Sequence, residues 1–136
     1  MQYWLIKSEP NEWSWDKQVK EGESMWDGVR NYQARNNLKK MKKSDLCLFY
    51  HSVSEKAVVG IVKVTREFYN DPTDDTGKFV VVDVKASKKL EKKVTLEEIK
   101  KNKKLKNIAL VKQSRLSVMP LKKNEWETII QMSKIK

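Results

Sequence analysis

The apolar residues of this chain come in short runs, none longer than five residues, divided by polar and charged stretches. A membrane-spanning helix needs about 20 apolar residues in succession, so an integral membrane protein is not expected. Short runs of this kind build strands buried on one or both faces, with amphipathic helices laid against them. Leu46 to His51 reads as a buried strand. Ala57 to Phe68 alternates over Val58, Gly60, Val62 and Val64, a long strand with a glycine at a bend or a close approach. Tyr3 to Lys7 is an aromatic-aliphatic strand ended by Ser8-Glu9-Pro10, and Lys78 to Ser87 is another strand. Ile108 to Gln113 and Arg115 to Met119 also read as extended.

Helix signals fall between these runs. Ser14 is placed to cap a helix from Trp15 to about Glu21, with Gly22 just past its end. Asn31 to Met41 carries Ala34, Leu38 and Met41 on one face and lysines in its last turn. Thr95-Leu96-Glu97-Glu98 fits a capping box opening a helix to about Lys101, and Asn124 to Met132 closes the chain with Trp126, Ile129 and Ile130 on one face. Asn70 to Gly77 is loop by composition. Strands with helices inserted between them predict an α+β domain built on a small curled sheet or barrel. With no repeat or low-complexity linker, one domain over residues 1–136 is expected.

Charge is divided unevenly. Residues 1 to 84 hold thirteen basic and thirteen acidic side chains; residues 85 to 136 hold sixteen and five, so the whole net charge of +11 lies in the last part of the chain. A basic half beside a neutral one points to a polyanion such as nucleic acid, although a lysine-rich surface also serves solubility alone. The single cysteine, Cys47, excludes a disulfide framework and a multi-cysteine zinc site, and fits an inert core thiol. With His51 the only histidine, a histidine-rich metal centre is excluded as well. The amino terminus shows no basic leader followed by an apolar stretch, so secretion is not expected.

Trp4, Trp13, Trp15 and Trp126 lie among apolar partners and read as core. Trp26 differs, because it sits in an irregular polar stretch leading into a helix. It is either a ring that stacks a planar ligand or one folded down onto the core. Arginine is scarce, only Arg30, Arg35, Arg66 and Arg115. Guanidinium makes bidentate contacts to phosphate that lysine does not, so Arg30 before a helix and Arg115 between serines are either phosphate contacts or structural ion pairs. For catalysis the chain offers His51 followed by Ser52 as a base and nucleophile pair. It carries no paired-carboxylate pattern, no phosphate-binding glycine loop and no GxSxG elbow.

Six segments carry a resemblance. Tyr-Trp-Leu-Ile-Lys-Ser-Glu-Pro at 3–10, Trp-Asp-Gly-Val-Arg-Asn-Tyr-Gln-Ala-Arg-Asn at 26–36 and Phe-Tyr-His-Ser at 49–52 resemble the EVE domain. So do Tyr-Asn-Asp-Pro-Thr at 69–73, Val-Asp-Val at 82–84 and Gln-Ser-Arg-Leu-Ser-Val-Met-Pro at 113–120. They occur in the family's order and cover nearly the whole chain. The resemblance implies a PUA-like fold, a curled and mostly antiparallel sheet or pseudo-barrel with peripheral helices, related to the YTH domain.

It also implies a non-enzymatic reader of a modified base, chiefly modified cytosine in DNA, with no cofactor and no metal. By motif position, Lys7, Ser8 and Glu9 are expected as the polar wall of a pocket and Trp26 as one cage ring. Arg30 and Asn31 match a helix-entry pair, His51 and Ser52 a strand-end pair, and Arg115 the Arg-Leu-Ser-Val segment. Relatives often place tryptophan before the Val-Asp-Val strand, where this chain has Phe79 after a shortened loop, so Phe79 is expected as the second cage wall. Arg30 and Arg115 would hold phosphates, with Lys103 and Lys104 adding backbone contacts. The expected partner is DNA or RNA, met by a monomer in the cytoplasm, or in the nucleus of a eukaryote. The alternatives are a module for a free modified nucleotide and a small hydrolase using His51.

Overall fold

The computed structural model describes residues 1–135. Its framework is a long antiparallel hairpin of β4 (Ala57–Asn70) and β5 (Val80–Thr95), paired from Ala57 opposite Thr95 to Asn70 opposite Val80. Four register shifts interrupt this ladder. Each bulge adds local twist, so the hairpin curls instead of lying flat. β3 (Leu46–His51) joins β4 antiparallel, and β1 (Tyr3–Ser8) lies parallel to β3. The short β2 (Glu23–Met25) and β6 (Val118–Leu121) complete the order β2-β5-β4-β3-β1-β6. The sheet is curled and open, with β2 and β6 as its edges, and it is the PUA-like α+β architecture expected from the sequence.

The helices sit where their caps place them. Ser14 accepts from the Lys17 N–H to start α1 (Trp15–Glu21), and Gly22, at φ 72°, ends it. Asn31 caps α2 (Tyr32–Lys40) by accepting from the Ala34 N–H at 2.9 Å. Thr95 and Glu98 form the capping box of α3 (Leu96–Lys101). α4 (Ala109–Lys112) is a single turn, and α5 (Lys123–Met132) closes the fold.

The core gathers Leu5, Ile6, Leu48, Phe49, Val58, Leu38, Met119 and Ile129, all essentially without exposure. Each such side chain contributes about 1.5–3 kcal/mol when fully buried. Gly60 allows the sheet to meet α1, because a Cβ there would overlap the Trp15 ring. That is the close approach expected of a glycine in this strand. Cys47 lies fully buried beside these residues, and burial pushes its thiol pKa up.

Four segments differ from the sequence reading, the first being Arg115 to Met119, where Arg115 lies in a turn and the strand begins only at Val118. Ile108 to Gln113 is not extended, since Ala109 to Lys112 forms a helical turn. The strand expected to stop at Ser87 runs on to Thr95. Glu23 to Met25, expected as irregular, pairs with Asp83 to Lys85 as an edge strand.

Candidate functional site

Because β1 and β3 run parallel, their carboxyl ends meet at one edge of the sheet. A cleft of about 790 Å³ opens there. Its first wall is Lys7, Ser8 and Glu9 with Glu12 and Trp13; its second is Ser24 to Arg30; Ser52, Ser114, Arg115 and Ser117 supply the remainder. Backbone bonds tie the pieces together. The Ser52 N–H donates to the Ser8 carbonyl at 2.9 Å, and the Lys7 N–H donates to the Ser117 carbonyl at 2.9 Å.

The polar side chains are held by specific partners. The Ser8 hydroxyl donates to the Trp13 carbonyl. Lys7 Nζ donates to the Ser114 carbonyl at 2.7 Å and lies 5.9 Å from the Tyr50 ring centre; burial lowers its pKa. Gln18, fully buried, accepts from Trp13 Nε1 at 2.8 Å and from the Ser24 hydroxyl at 3.0 Å. One buried amide thus orients residues of two walls.

Trp26 lines the cleft but is only 7% exposed. Its ring stands edge-on to Phe49 at 5.4 Å and 83°, and the Trp26 backbone N–H donates to the Val82 carbonyl at 2.8 Å. The ring therefore belongs to core and cleft together. The loop after it is pinned by Asp71, whose carboxylate accepts from the Gly28 N–H and from Arg30 Nη1, each at 3.0 Å. Burial pulls the Asp71 carboxyl toward its neutral form, but bonds from Thr73, Arg30 and Gly28 outweigh it and hold its pKa below the ordinary value. Arg30 is thus in an ion pair, and its guanidinium also donates to Thr73 and lies 5.4 Å from the Phe79 ring centre. Arg115 is exposed at the cleft and makes no hydrogen bond or ion pair among the described residues.

Of the residues expected to form the pocket, Lys7, Ser8, Glu9, Trp26 and Ser52 line the cleft, with Arg30 and Arg115 at it. Asn31, His51 and Phe79 do not. Asn31 is spent on capping α2. His51 Nε2 accepts from the Trp15 N–H at 2.9 Å, and Nδ1 bonds Glu55 at 2.5 Å. The Trp15 N–H needs a lone pair on Nε2, so the ring proton sits on Nδ1 and no lone pair is left to activate Ser52. Phe79 stacks on Tyr32 of α2 at 5.4 Å and 20°, and its backbone N–H donates to the Asp74 carboxylate at 2.9 Å. Lys103 and Lys104 are exposed in a 3-10 turn after α3, outside the lining.

The second tryptophan of the cleft is Trp13, read from the sequence as core. Its signal was the Pro10 turn, which brings the Trp13 N–H back onto the Glu9 carbonyl at 2.8 Å. Asp71 carried the signal of an Asx-turn, its side chain accepting from the Thr73 N–H at 2.7 Å.

A curled, open sheet with a cleft at the joined ends of two parallel strands defines a PUA-like binding domain. The family model described as EVE domain matches residues 2–132, and the chain belongs to that family. It is 32% identical over 169 residues to thymocyte nuclear protein 1 of Mus musculus, covering 96% of this chain and 73% of that protein. Among solved structures, Rpa0253 from Rhodopseudomonas palustris is 47% identical with a TM-score of 0.92, covering 98% of this chain and 93% of that one. Human THYN1 protein, solved in complex with 5-methylcytosine-containing DNA, is 29% identical with a TM-score of 0.92, covering 100% and 99%. The YTH domain of a Zygosaccharomyces rouxii protein shares the fold alone, at 17% identity and a TM-score of 0.63, covering 98% and 87%. Among the described residues no helix is long and apolar enough to cross a membrane.

Proposed function

We propose that this chain reads a modified base in nucleic acid, a modified cytosine in DNA, by holding the base extruded into the cleft without catalysing a reaction. The observation that carries the reading is the composition of the cleft: Trp13 and Trp26 beside the hydroxyls of Ser8, Ser24 and Ser52, with the unpaired Arg115 guanidinium at hand. Extrusion costs a few kcal/mol, and stacking on an aromatic side chain returns about 1–3 kcal/mol per base. The hydroxyls and backbone groups serve the polar edge of the base, while the indole faces favour an added methyl. A methyl group in an apolar pocket is worth about 1–3 kcal/mol of discrimination. Arg115 takes a flanking phosphate, a contact that carries no base information. The complex of the human relative with 5-methylcytosine DNA supports the same ligand class. The hydrolase alternative loses its base, since both His51 nitrogens are engaged.

The test is a binding panel of short oligonucleotides carrying cytosine, 5-methylcytosine or N6-methyladenine, with 5-methyl-dCMP as the mononucleotide arm. Tighter binding of the 5-methylcytosine strand, with the mononucleotide weaker, is expected. A mononucleotide bound as tightly as the strand favours a free-nucleotide module instead. Equal affinity for all strands removes base reading.

A further inference from the structure

The turn from Ser52 to Lys56, between β3 and β4, carries backbone strain beside the cleft. Val53 has a φ of 71° and Lys56 one of 50°. Crowding between Cβ and the carbonyl disfavours this region for L-residues, most of all β-branched ones, and glycine or asparagine is its ordinary occupant. Val53 is also 61% exposed, so burial neither offsets the strain nor accounts for an apolar side chain there. The turn is clamped around it. The Ser52 N–H is held by Ser8, the Lys56 carbonyl accepts from the Leu96 N–H at 2.8 Å, and Glu55 bridges His51 at 2.5 Å and Lys93 at 3.4 Å. Strain that the surroundings hold in place, without packing to explain it, is a mark of a functional position. Ser52 lines the cleft, and Val53 follows it by one Cα step of about 3.8 Å.

We propose that Val53 is a wedge that enters the base stack of a duplex where the base held in the cleft has been withdrawn. The inference rests on the function proposed above and adds the strand state of the target, which is double-stranded. Extrusion from a duplex leaves a gap between two apolar base faces, and an apolar side chain pushed into such a gap recovers part of the lost stacking. A wedge has to be exposed in the free protein, apolar and rigid. Valine is stiff at χ1, so little rotamer freedom is lost on insertion. Glycine at this position would relax the backbone and supply no wedge, so fold stability and duplex affinity are expected to move in opposite directions.

The experiment compares the full chain with Val53→Gly and Val53→Asn, two residues that accept a positive φ. Each is measured on a duplex with one central 5-methylcytosine, on the same strand alone, and on the unmethylated form of both. The expected result is a loss of about tenfold on the methylated duplex, no change on the methylated single strand, and a Tm equal to or above that of the parent protein. Unchanged duplex affinity in both variants overturns the wedge. An equal loss on duplex and single strand also overturns it, and makes the turn a support for the cleft. If the parent protein fails to prefer either methylated DNA over its unmethylated form, base reading itself fails and the wedge goes with it.

Discussion

The two parts of this chain differ in charge and in what they give the cleft. The charge-balanced part, residues 1 to 84, supplies both tryptophans of the cleft and most of its polar wall, while the part holding the whole +11 adds only the segment from Ser114 to Ser117. Contacts that distinguish one base from another work over hydrogen-bond distances and need fixed partners, which Gln18 and Asp71 provide. Lysine charge acts over about 8–10 Å at ordinary salt and needs no fixed geometry. On the proposed function, discrimination and attraction are expected to be separable in this molecule, with substitutions in one part leaving the other's contribution intact.

The strongest challenge to that division is at Trp26. Trp26→Ala is expected to cost about 3–5 kcal/mol of stability, because the ring fills space against Phe49 as well as lining the cleft. Trp26→Phe keeps most of the packing, and its affinity for a 5-methylcytosine strand is the cleaner measure. If Trp26→Phe folds normally and still binds with full preference, the tryptophan is core alone.

Asp71→Asn comes next, at about 1–3 kcal/mol, since it weakens a buried acceptor of several hydrogen bonds. The folded carboxyl titrates below the unfolded value of about 3.9, so its stabilisation is complete above that pH and is lost as pH falls through the folded pKa. Melting curves from pH 6 to pH 2 should show a smaller acid-induced loss in Asp71→Asn than in the parent protein, the remainder coming from Glu55, Asp74 and Glu98, whose carboxyls are also held below their ordinary values. An equal loss in both would leave the loop held by something else.

Replacing Lys100, Lys103, Lys104 and Lys106 by glutamine should weaken methylated and unmethylated strands equally, leaving preference unchanged. The slope of log affinity against log salt should flatten by about 0.7–0.9 for each phosphate contact removed. A change in preference would break the division between the two parts, and an unchanged slope would make these lysines solvated surface. The smallest effect belongs to Phe79→Trp. Phe79 stacks on Tyr32 outside the cleft lining, so affinity measured by titration should stay within error of the parent. A gain would return Phe79 to the role of second wall.

Local signals in the sequence were sufficient where one side chain closes one backbone bond. Ser14 and Thr95 each cap the helix expected of them, whereas Asn31, expected in the pocket, caps α2. Periodicity failed where burial is intermittent. From Lys85 to Lys93 the strand is mostly exposed and its register shifts near Gly60, so no alternation survives in the residues. Ile108 to Val111 is an apolar run too short to tell a strand from a turn of helix. At the cleft, the motif segments located the walls but not which way the rings turned. Trp13 lines the cleft while packing against the core, and Phe79 lies outside the lining, stacked on Tyr32 of α2.

The pairing of β1 with β6 places Tyr3 opposite Leu121, nearly the full length of the chain apart. The β4–β5 hairpin is local and closes a short loop, whereas the β1–β6 ladder has to bring distant segments together, which is the slow kind of contact to form. The segment from Ser114 to Ser117 is held at the cleft beside that ladder, by the Lys7 N–H on the Ser117 carbonyl and by Lys7 Nζ on the Ser114 carbonyl. On a ribosome, the sheet centre therefore emerges well before the cleft is complete. A nascent chain holding the sheet centre and both tryptophans still lacks Ser114 to Ser117 and the strand that seats them until residue 121 has emerged, so the cleft is completed late in synthesis.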